Sequence, residues 1–584
     1  MTRIAVIEKE KCNPMGCGGY LCMKLCPVNR MGEECIVKAS DNKPLIDEKL
    51  CTGCGICPNR CPFDAISIIN LPEELAKQPI HRYGRNGFHL YNLPVPQFGK
   101  VVGILGRNGI GKSTALKILA DMLKPNLGKD EEAGCDELIE FFKGSEAQNF
   151  FEKLKNSEIK VSYKPQQVDL IPKNSMGKVK DLLAKVDEKG ELDNIAKELE
   201  IGKILDSDIK NISGGELQRV AIAAAVLKKA NVYFFDEPTS YLDIKQRISI
   251  SKFIRSLADD ATAVLIVEHD LIILDYMTDM LHIMYGKESV YGIVSGPKST
   301  RNGINIYLSG YLKEENMRFR DKPIKFSERA EKSKSKGDLQ AAWKNIHKKF
   351  GKFSLSAEQG EVKKNDIIGI LGENGIGKTS FVKLLAGVDK TDSGEINEKV
   401  KVSYKPQYLR SGSGQAVDSV LSDAISKYTT QIINPLRLQP LFGRKINELS
   451  GGELQKVSIA LCLSKKADLY LLDEPSAYLD VEQRLLISKL IADIMHERGA
   501  SAMIVDHDLL FLDYLSSKLM VFEGIPAEYG QAKGPFDMEQ GMTHFLKKLN
   551  ISMRRDTESR RPRVNKLNSV KDREQKAKNK LYYS

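Results

Sequence analysis

Nine of the eleven cysteines lie between Cys12 and Cys61. Cys51, Cys54, Cys57 and Cys61 follow C-x2-C-x2-C-x3-C, with Pro62 after the last. With this spacing one loop presents three thiolates to one face of a [4Fe–4S] cube, while the fourth ligates a second cluster. A second set is therefore required. Cys12, Cys17, Cys22 and Cys26, followed by Pro27, supply it. Crossed ligation is expected, with Cys12, Cys17, Cys22 and Cys61 on one cluster and Cys51, Cys54, Cys57 and Cys26 on the other. Cys35 is left over as a small buried residue, and Cys135 and Cys462 are isolated packing residues. Zinc accepts C-x2-C pairs but does not explain a run of four before proline, and disulfides do not suit a cytosolic chain.

A second chemistry is written twice. GRNGIGKS (106–113) and GENGIGKT (372–379) fit G-x-x-x-x-G-K-[ST], each between a strand-like apolar run (KVVGIL, NDIIGIL) and a helix-like stretch. Glycines let backbone N–H groups turn inward around phosphates, and the helix N-terminus adds its dipole. Lys112 and Lys378 are expected to reach the β- and γ-phosphates, and Ser113 and Thr379 to hold Mg²⁺. Gly106, Asn108, Gly109, Gly111 and Thr114, and Gly372, Asn374, Gly375, Gly377 and Ser380, complete the two loops. Further strings repeat in the same order: YKPQ (163–166, 404–407), SGGELQ (213–218, 450–455), an apolar strand ending in Asp236–Glu237 or Asp473–Glu474, YLD (241–243, 478–480), then VEHD and VDHD with His269 and His507. SGGE also fits a helix capping box, which is itself an anion site.

This duplicated series resembles the ATP-binding-cassette nucleotide-binding domain over nearly all of 80–290 and 345–530. The resemblance implies that Asp236 and Asp473 are the Mg²⁺-side carboxylates. It makes Glu237 and Glu474 the bases that polarise the attacking water. Gln166 and Gln407 would sense Mg²⁺ and the γ-phosphate, on which His269 and His507 would sit. It implies a head-to-tail pairing, in which Lys112 works with Ser450, Gly451 and Gly452, and Lys378 with Ser213, Gly214 and Gly215. Tyr83 or Phe88, and Phe350 or Phe353, are the candidates to stack on adenine.

The elements that must position these residues need several domains, and 584 residues allow three or more. No run of about 18 apolar residues is present, so no membrane span is expected. The N-terminus lacks a signal-like apolar stretch, so a cytoplasmic protein is expected. The net charge of +11 concentrates in residues 554–584, where 11 Lys/Arg face 4 Asp/Glu. Such a tail is either a solvated face or a phosphate-binding surface for RNA.

The halves differ. Lys112 to Ser213 spans 101 residues and Lys378 to Ser450 spans 72, so the first carries about 29 more. DELIEFFKGSEAQNFFEKL (136–154) reads as two amphipathic helices around Lys143–Gly144, either decoration or a partner-binding helix–loop–helix. Residues 291–320 read as too rich in Arg, Asn and Gly for an ordinary helix and too apolar for a loose linker. With the tail they suggest a hinge bracing both lobes.

The two-cluster domain, twin cassettes, an insert in the first alone, HRYG (81–84), NMRFR (316–320), SYLD, AYLD and RPRVNKLNS (561–569) together resemble the ribosome-recycling ATPases of the RNase L inhibitor family. One departure is the four residues GGYL between Cys17 and Cys22, where that family's pattern has three. The resemblance implies an α/β fold: two P-loop nucleotide-binding domains head to tail, an N-terminal α+β two-cluster ferredoxin-like domain, and hinge segments. The implied borders are 1–75 for the iron–sulfur domain, 76–292 for the first cassette with its insert at about 130–160, 293–335 for the first hinge, 336–535 for the second cassette and 536–584 for the second hinge and basic tail. It implies a monomeric ATPase that uses Mg²⁺, carries two [4Fe–4S] clusters, and works with ribosomal subunits, especially the small subunit and its rRNA, and a release factor. Alternatives are a cassette ATPase that remodels ribosome-bound tRNA, an ATP-coupled redox enzyme, and a transporter's ATPase subunit.

Overall fold

The computed structural model describes every residue except 1, 72–77, 325, 327–337, 397–399, 408–413 and 583–584. The expected borders at 75/76 and 335/336 lie outside the described residues.

Each cassette is built on a nine-stranded sheet. In the first, Val161–Lys164, Val232–Asp236, Ala263–Val267, Val101–Leu105 and Met280–Lys287 run parallel in that order. In the second, Val402–Lys405, Leu469–Asp473, Ser501–Val505, Ile367–Leu371 and Lys518–Ile525 repeat it. The three central strands of each set are buried at every residue. Strands covered on both faces read as continuous apolar runs for this reason. Because the strands are parallel, the phosphate loops, the Asp–Glu pairs and the two histidines all emerge at the same sheet end, where ligands of such sheets sit.

Two helices, Cys135–Phe141 and Glu146–Lys155, form the insert, joined through Gly144 at φ +80°. Against expectation, residues 291–320 do contain a helix, Thr300–Ser309. Packing overrides its poor propensity. Ile304, Tyr307 and Leu308 are buried on one face, a Cβ at Gly303 would lie 2.8 Å from Leu281, and Gly310 ends the helix in the left-handed conformation. The basic tail is ordered too. Met553–Arg555 pairs with Pro562–Val564, and Val570–Ala577 is helical.

One apolar core runs through both cassettes and both hinge segments, including Tyr307, Leu308, Val564 and Tyr582. Arg301 of the first hinge pairs with Asp556 of the second at 2.8 Å. Arg561, fully buried, and Arg563 both grip Asp275 of the first cassette at 3.0 and 2.6 Å. Arg320 bonds Glu482 of the second cassette. The cysteine domain has its own small core of ten buried residues, four of them cysteines.

Candidate functional site

Both phosphate loops turn through left-handed glycines, Gly109 and Gly111 at φ +71° and +88°, Gly375 and Gly377 at +72° and +93°. This aims backbone N–H groups into the loop. Lys112 donates to the carbonyls of Gly106 (3.1 Å) and Arg107 (2.6 Å), and Lys378 to those of Gly372 and Glu373 (both 2.7 Å). Thr379 donates to Asp473 at 2.7 Å, and Ser113 bonds Asp236. Asp236 Oδ1 and Asp473 Oδ1 are buried with no hydrogen-bond partner among the described residues. A buried carboxylate oxygen left free beside a hydroxyl fits a Mg²⁺ ligand pair.

Beside each aspartate stands its glutamate. Gln166 donates to Glu237 Oε1 at 2.6 Å and Gln407 to Glu474 Oε1 at 2.8 Å. His269 Nε2 is 3.4 Å from Glu237, and His507 Nε2 is 3.7 Å from Glu474. The two sites are not electrostatically equal. Burial alone would raise the Glu237 carboxyl, but the imidazole of His269 and the ammonium of Lys112 hold it down to about 2. At Glu474 burial prevails and raises the carboxyl, and burial likewise keeps His507 well below its ordinary range.

Both sites open into one cavity of about 1880 Å³ between the cassettes, lined by both phosphate loops and by Ser213–Gly215 and Ser450–Gly452. The Ser-Gly-Gly turns are also capping boxes: Ser213 N donates to Glu216 Oε2 and Ser450 N to Glu453 Oε2, both at 2.8 Å. The pairing is head to tail. The amide of Asn108 donates to Asp480 Oδ2 of the second cassette at 3.2 Å, and that of Asn374 to Asp243 Oδ2 of the first at 2.9 Å. Asp243 and Asp480 end the repeated YLD strings, which mark the repeat without naming these partners. Each also caps the helix that follows it.

Tyr83 lines this cavity and its hydroxyl lies 3.1 Å from Thr114. Phe88 packs on Gly111 and Phe353 on Gly377, and both line the cavity. Phe350 lies beside Phe353, with ring centroids 6.5 Å apart, and is outside the lining. Lys11 of the cysteine domain lines the cavity too, a contact no spacing announced.

None of the eleven cysteines is in a disulfide. Burial raises the thiols of Cys12 and Cys22; nearby Cys61 and Cys17 add to the rise at Cys12, and Cys12 and Cys17 to that at Cys22. Burial raises the Cys57 thiol, and Cys51, Cys22, Cys54 and Cys26 nearby add to the rise. Cys22 is thus within reach of Cys57, so the two expected sets adjoin. Cys35 is buried beside Cys26 and Cys51. Between Cys17 and Cys22 three successive residues, Gly18, Gly19 and Tyr20, have positive φ. The amide of Ala65 points at Cys61 Sγ (3.4 Å). Among the described residues no three His, Cys, Asp or Glu stand together as a single-ion site. A cube ligated at four corners spreads its thiolates wider than one ion does. The donor set is thiolate throughout, which fits iron–sulfur chemistry.

Twin cassettes whose phosphate loops each face the other's Ser-Gly-Gly turn define an ATP-binding-cassette protein with both nucleotide sites on one chain. The pattern described as ABC transporter matches residues 92–240 and 355–477. The possible Fer4-like domain in RNase L inhibitor matches 2–34, and the 4Fe-4S binding domain matches 44–67. Over its whole length the chain is 52% identical to 97% of an uncharacterized ABC transporter ATP-binding protein of Methanocaldococcus jannaschii. It is 44% identical to 98% of translation initiation factor RLI1 of Saccharomyces cerevisiae. Among solved structures, a model of ribosome-bound archaeal Pelota and ABCE1 superposes with a TM-score of 0.95 at 52% identity, covering all of this chain and 99% of that one. The archaeal recycling factor aABCE1 in complex with ribosomal stalk protein aP1 gives 0.83 at 52% identity over 87% of this chain and 99% of that one. The chain belongs to the ABCE1/RLI1 family of RNase L inhibitor proteins. Among the described residues no helix is long and apolar enough to cross a membrane.

Proposed function

We propose that this protein hydrolyses ATP at two composite sites to split post-termination ribosomes into subunits, acting in the cytoplasm as a monomer beside a release factor. The observation that carries this reading is the shared cavity. Each phosphate loop faces the other cassette's Ser-Gly-Gly turn there, so nucleotide bound at either site joins the lobes. Relatives bearing the names RLI1 and ABCE1 supply the ribosomal context.

Lys112 and Lys378 bind the phosphates, and the left-handed glycines supply amides around them. Ser113 with Asp236, and Thr379 with Asp473, would hold Mg²⁺, which neutralises phosphate charge when bound. Glu237 and Glu474 orient the attacking water and take its proton, while Gln166 and Gln407 register the carboxylates. His269 and His507 face the γ-phosphate. Tyr83 or Phe88 stacks on one adenine and Phe353 on the other. Hydrolysis removes the bond between lobes, and the motion is the output.

Cys12, Cys17, Cys22 and Cys61, with Cys26, Cys51, Cys54 and Cys57, would ligate two clusters. These supply folding energy to a domain whose own core is small. The domain then serves as a stiff lever rather than an electron path. The insert helices and the basic hinges are offered to ribosomal partners.

Light scattering from 70S or 80S ribosomes with a cognate release factor tests this. Loss of scattering that needs nucleotide and residues 1–75 is expected. Intact ATPase without splitting overturns recycling and returns the tRNA-remodelling alternative. Glu237→Gln and Glu474→Gln are expected to retain ATP in a closed state. Wild-type hydrolysis by both variants would refute the base assignment.

A further inference from the structure

The string YKPQ occurs in both cassettes, and the reading above uses only its glutamine. The lysine has an unusual setting. Lys164 and Lys405 end the strands Val161–Lys164 and Val402–Lys405 and are 0% and 1% exposed. Among the described residues neither has a carboxylate at ion-pair distance. Their ammonium groups bond backbone carbonyls instead. Lys164 Nζ donates to Asp236 O at 3.0 Å and Glu237 O at 3.3 Å. Lys405 Nζ donates to Asp473 O at 2.7 Å, Pro406 O at 3.1 Å and Glu474 O at 3.5 Å.

A buried ammonium whose carboxylates (Asp236, Glu237 and Glu268 near Lys164; Asp473, Glu474 and Asp506 near Lys405) stay beyond ion-pair distance is costly, and an unbranched apolar side chain would fill the same space without that cost. Here the arrangement occurs twice, at equivalent positions. What it touches explains it. Glu237 and Glu474 both sit at φ +47°, a left-handed backbone that non-glycine residues adopt only when surroundings enforce it. The enforcement is visible. The Glu237 amide donates to Val267 O at 2.9 Å and the Glu474 amide to Val505 O at 2.7 Å. Their carbonyls receive Gln218 Nε2 at 2.7 Å and Gln455 Nε2 at 2.5 Å, in addition to the lysines. Among the described residues the lysine alone bridges the aspartate and glutamate carbonyls, and so fixes the turn between them.

We propose that Lys164 and Lys405 are positioning residues for hydrolysis: each clamps the two carbonyls of its Asp–Glu pair, so that the glutamate holds its left-handed turn and presents its carboxylate to the attacking water. This rests on reading Glu237 and Glu474 as the bases. Neither lysine lines the nucleotide cavity, so their loss acts on kcat and leaves binding alone.

The test uses the full-length, cluster-loaded protein. Lys164→Met and Lys405→Met preserve length and remove the donor. The double variant is expected to lose about tenfold or more in kcat while KM and the dissociation constant of a fluorescent ATP analogue stay within about twofold. In a cycle with Glu237→Gln and Glu474→Gln, adding the methionines changes the residual rate by less than about twofold, because the group they position is already gone. Lys164→Leu and Lys405→Leu, which also remove the donor, serve if a methionine variant does not fold. Unchanged kcat in the methionine double variant, or in the leucine pair standing in for it, overturns the proposal. So does a loss of affinity matching the loss of rate, which marks a merely structural lysine. Should the glutamine variants alone hydrolyse at the wild-type rate, it is the base assignment that fails.

Discussion

The side-chain amide of Asn86 donates to the carbonyl of Ala5 at 2.9 Å, joining the first cassette to the cysteine domain. The same amide donates to Ile46 O at 2.9 Å, its Oδ1 accepts from Ile46 N at 2.8 Å, and its carbonyl accepts from Ile7 N at 2.9 Å. Asn86 is 5% exposed and lies in the loop that carries Tyr83 and Phe88. A loop lining the first nucleotide site is thus also plugged into the cluster-bearing domain.

Asn86→Asp keeps the size and tolerates the left-handed backbone (φ +56°). It turns a carboxylate oxygen toward two buried carbonyls that had N–H donors. Leaving such groups unpaired costs about 1–3 kcal/mol each, and more for a charge. Amide hydrogen exchange is expected to speed up at Ala5–Ile7 and Ile46 while the second cassette is unchanged. Protection equal to wild type would mean that Asn86 does not hold the domain.

The hinge has an acid-sensitive point. Burial would raise the carboxyl of Asp556, but the amides of Ser559 and Glu558 and the side chains of Asn305 and Arg301 outweigh it and hold it well below the carboxylate range. A depressed carboxyl contributes stability that is full above its unfolded value of about 3.9 and is lost as pH falls toward its folded value. Limited proteolysis of residues 553–582 is therefore expected to accelerate on acidifying below about pH 4. Asp556→Asn should show part of that acceleration already at pH 7. If the variant and wild type are cut at equal rates at pH 7, Asp556 is not what ties the two hinges.

What the sequence showed and what it hid divide by range. The phosphate loops, the Asp–Glu strand ends and the cysteine spacing are local. A glycine's freedom or a thiolate's reach is set within a few residues, so the strings could be read directly. The contact of Asn108 with Asp480 joins residues 372 apart and depends on how two sheets face each other. The repeat gave Asp480 a place in the series but not that partner. The helix Thr300–Ser309 was hidden because its Asn and Gly lower propensity, while Leu281, which covers Gly303, lies in a different element. Asn86 gave no signal at all. One polar residue in a loop is ordinary until Ala5 and Ile46 are seen around it.

Crossed ligation makes a sharp statement about iron. On the proposed crossed ligation, two four-iron clusters would give about eight irons per chain. Cys26 and Cys54 belong to one crossed set, so Cys26→Ser with Cys54→Ser is expected to leave about four irons per chain. Cys61 and Cys54 belong to different sets, so Cys61→Ser with Cys54→Ser should leave almost none. Uncrossed loops predict the reverse ranking. Iron analysis with visible absorbance decides between them, and the reverse result would dismiss the crossed sets.

Trp343 is the chain's one tryptophan, 2% exposed in the second cassette. It pairs across strands with Gly360 and meets Phe381 edge-on at 5.3 Å. A Cβ on Gly360 would lie 2.1 Å from Trp343 Cζ2, so the indole rests directly on the glycine backbone. Gly360→Ala must push the ring off its strand or bend the strand, and such overpacking costs about 1–3 kcal/mol. Tryptophan emission is expected to report a lower unfolding midpoint for the variant, and an equal midpoint would show that the ring moves freely. Far-UV circular dichroism adds the rest of the argument. The apolar core is continuous from Val101 through Ile367 and the hinge residue Val564, so the cassettes share buried contacts. If both signals shift together, loosening one cassette's ring has destabilised both lobes as one cooperative unit. If only the emission shifts, the lobes unfold separately and the shared core is weaker than either sheet.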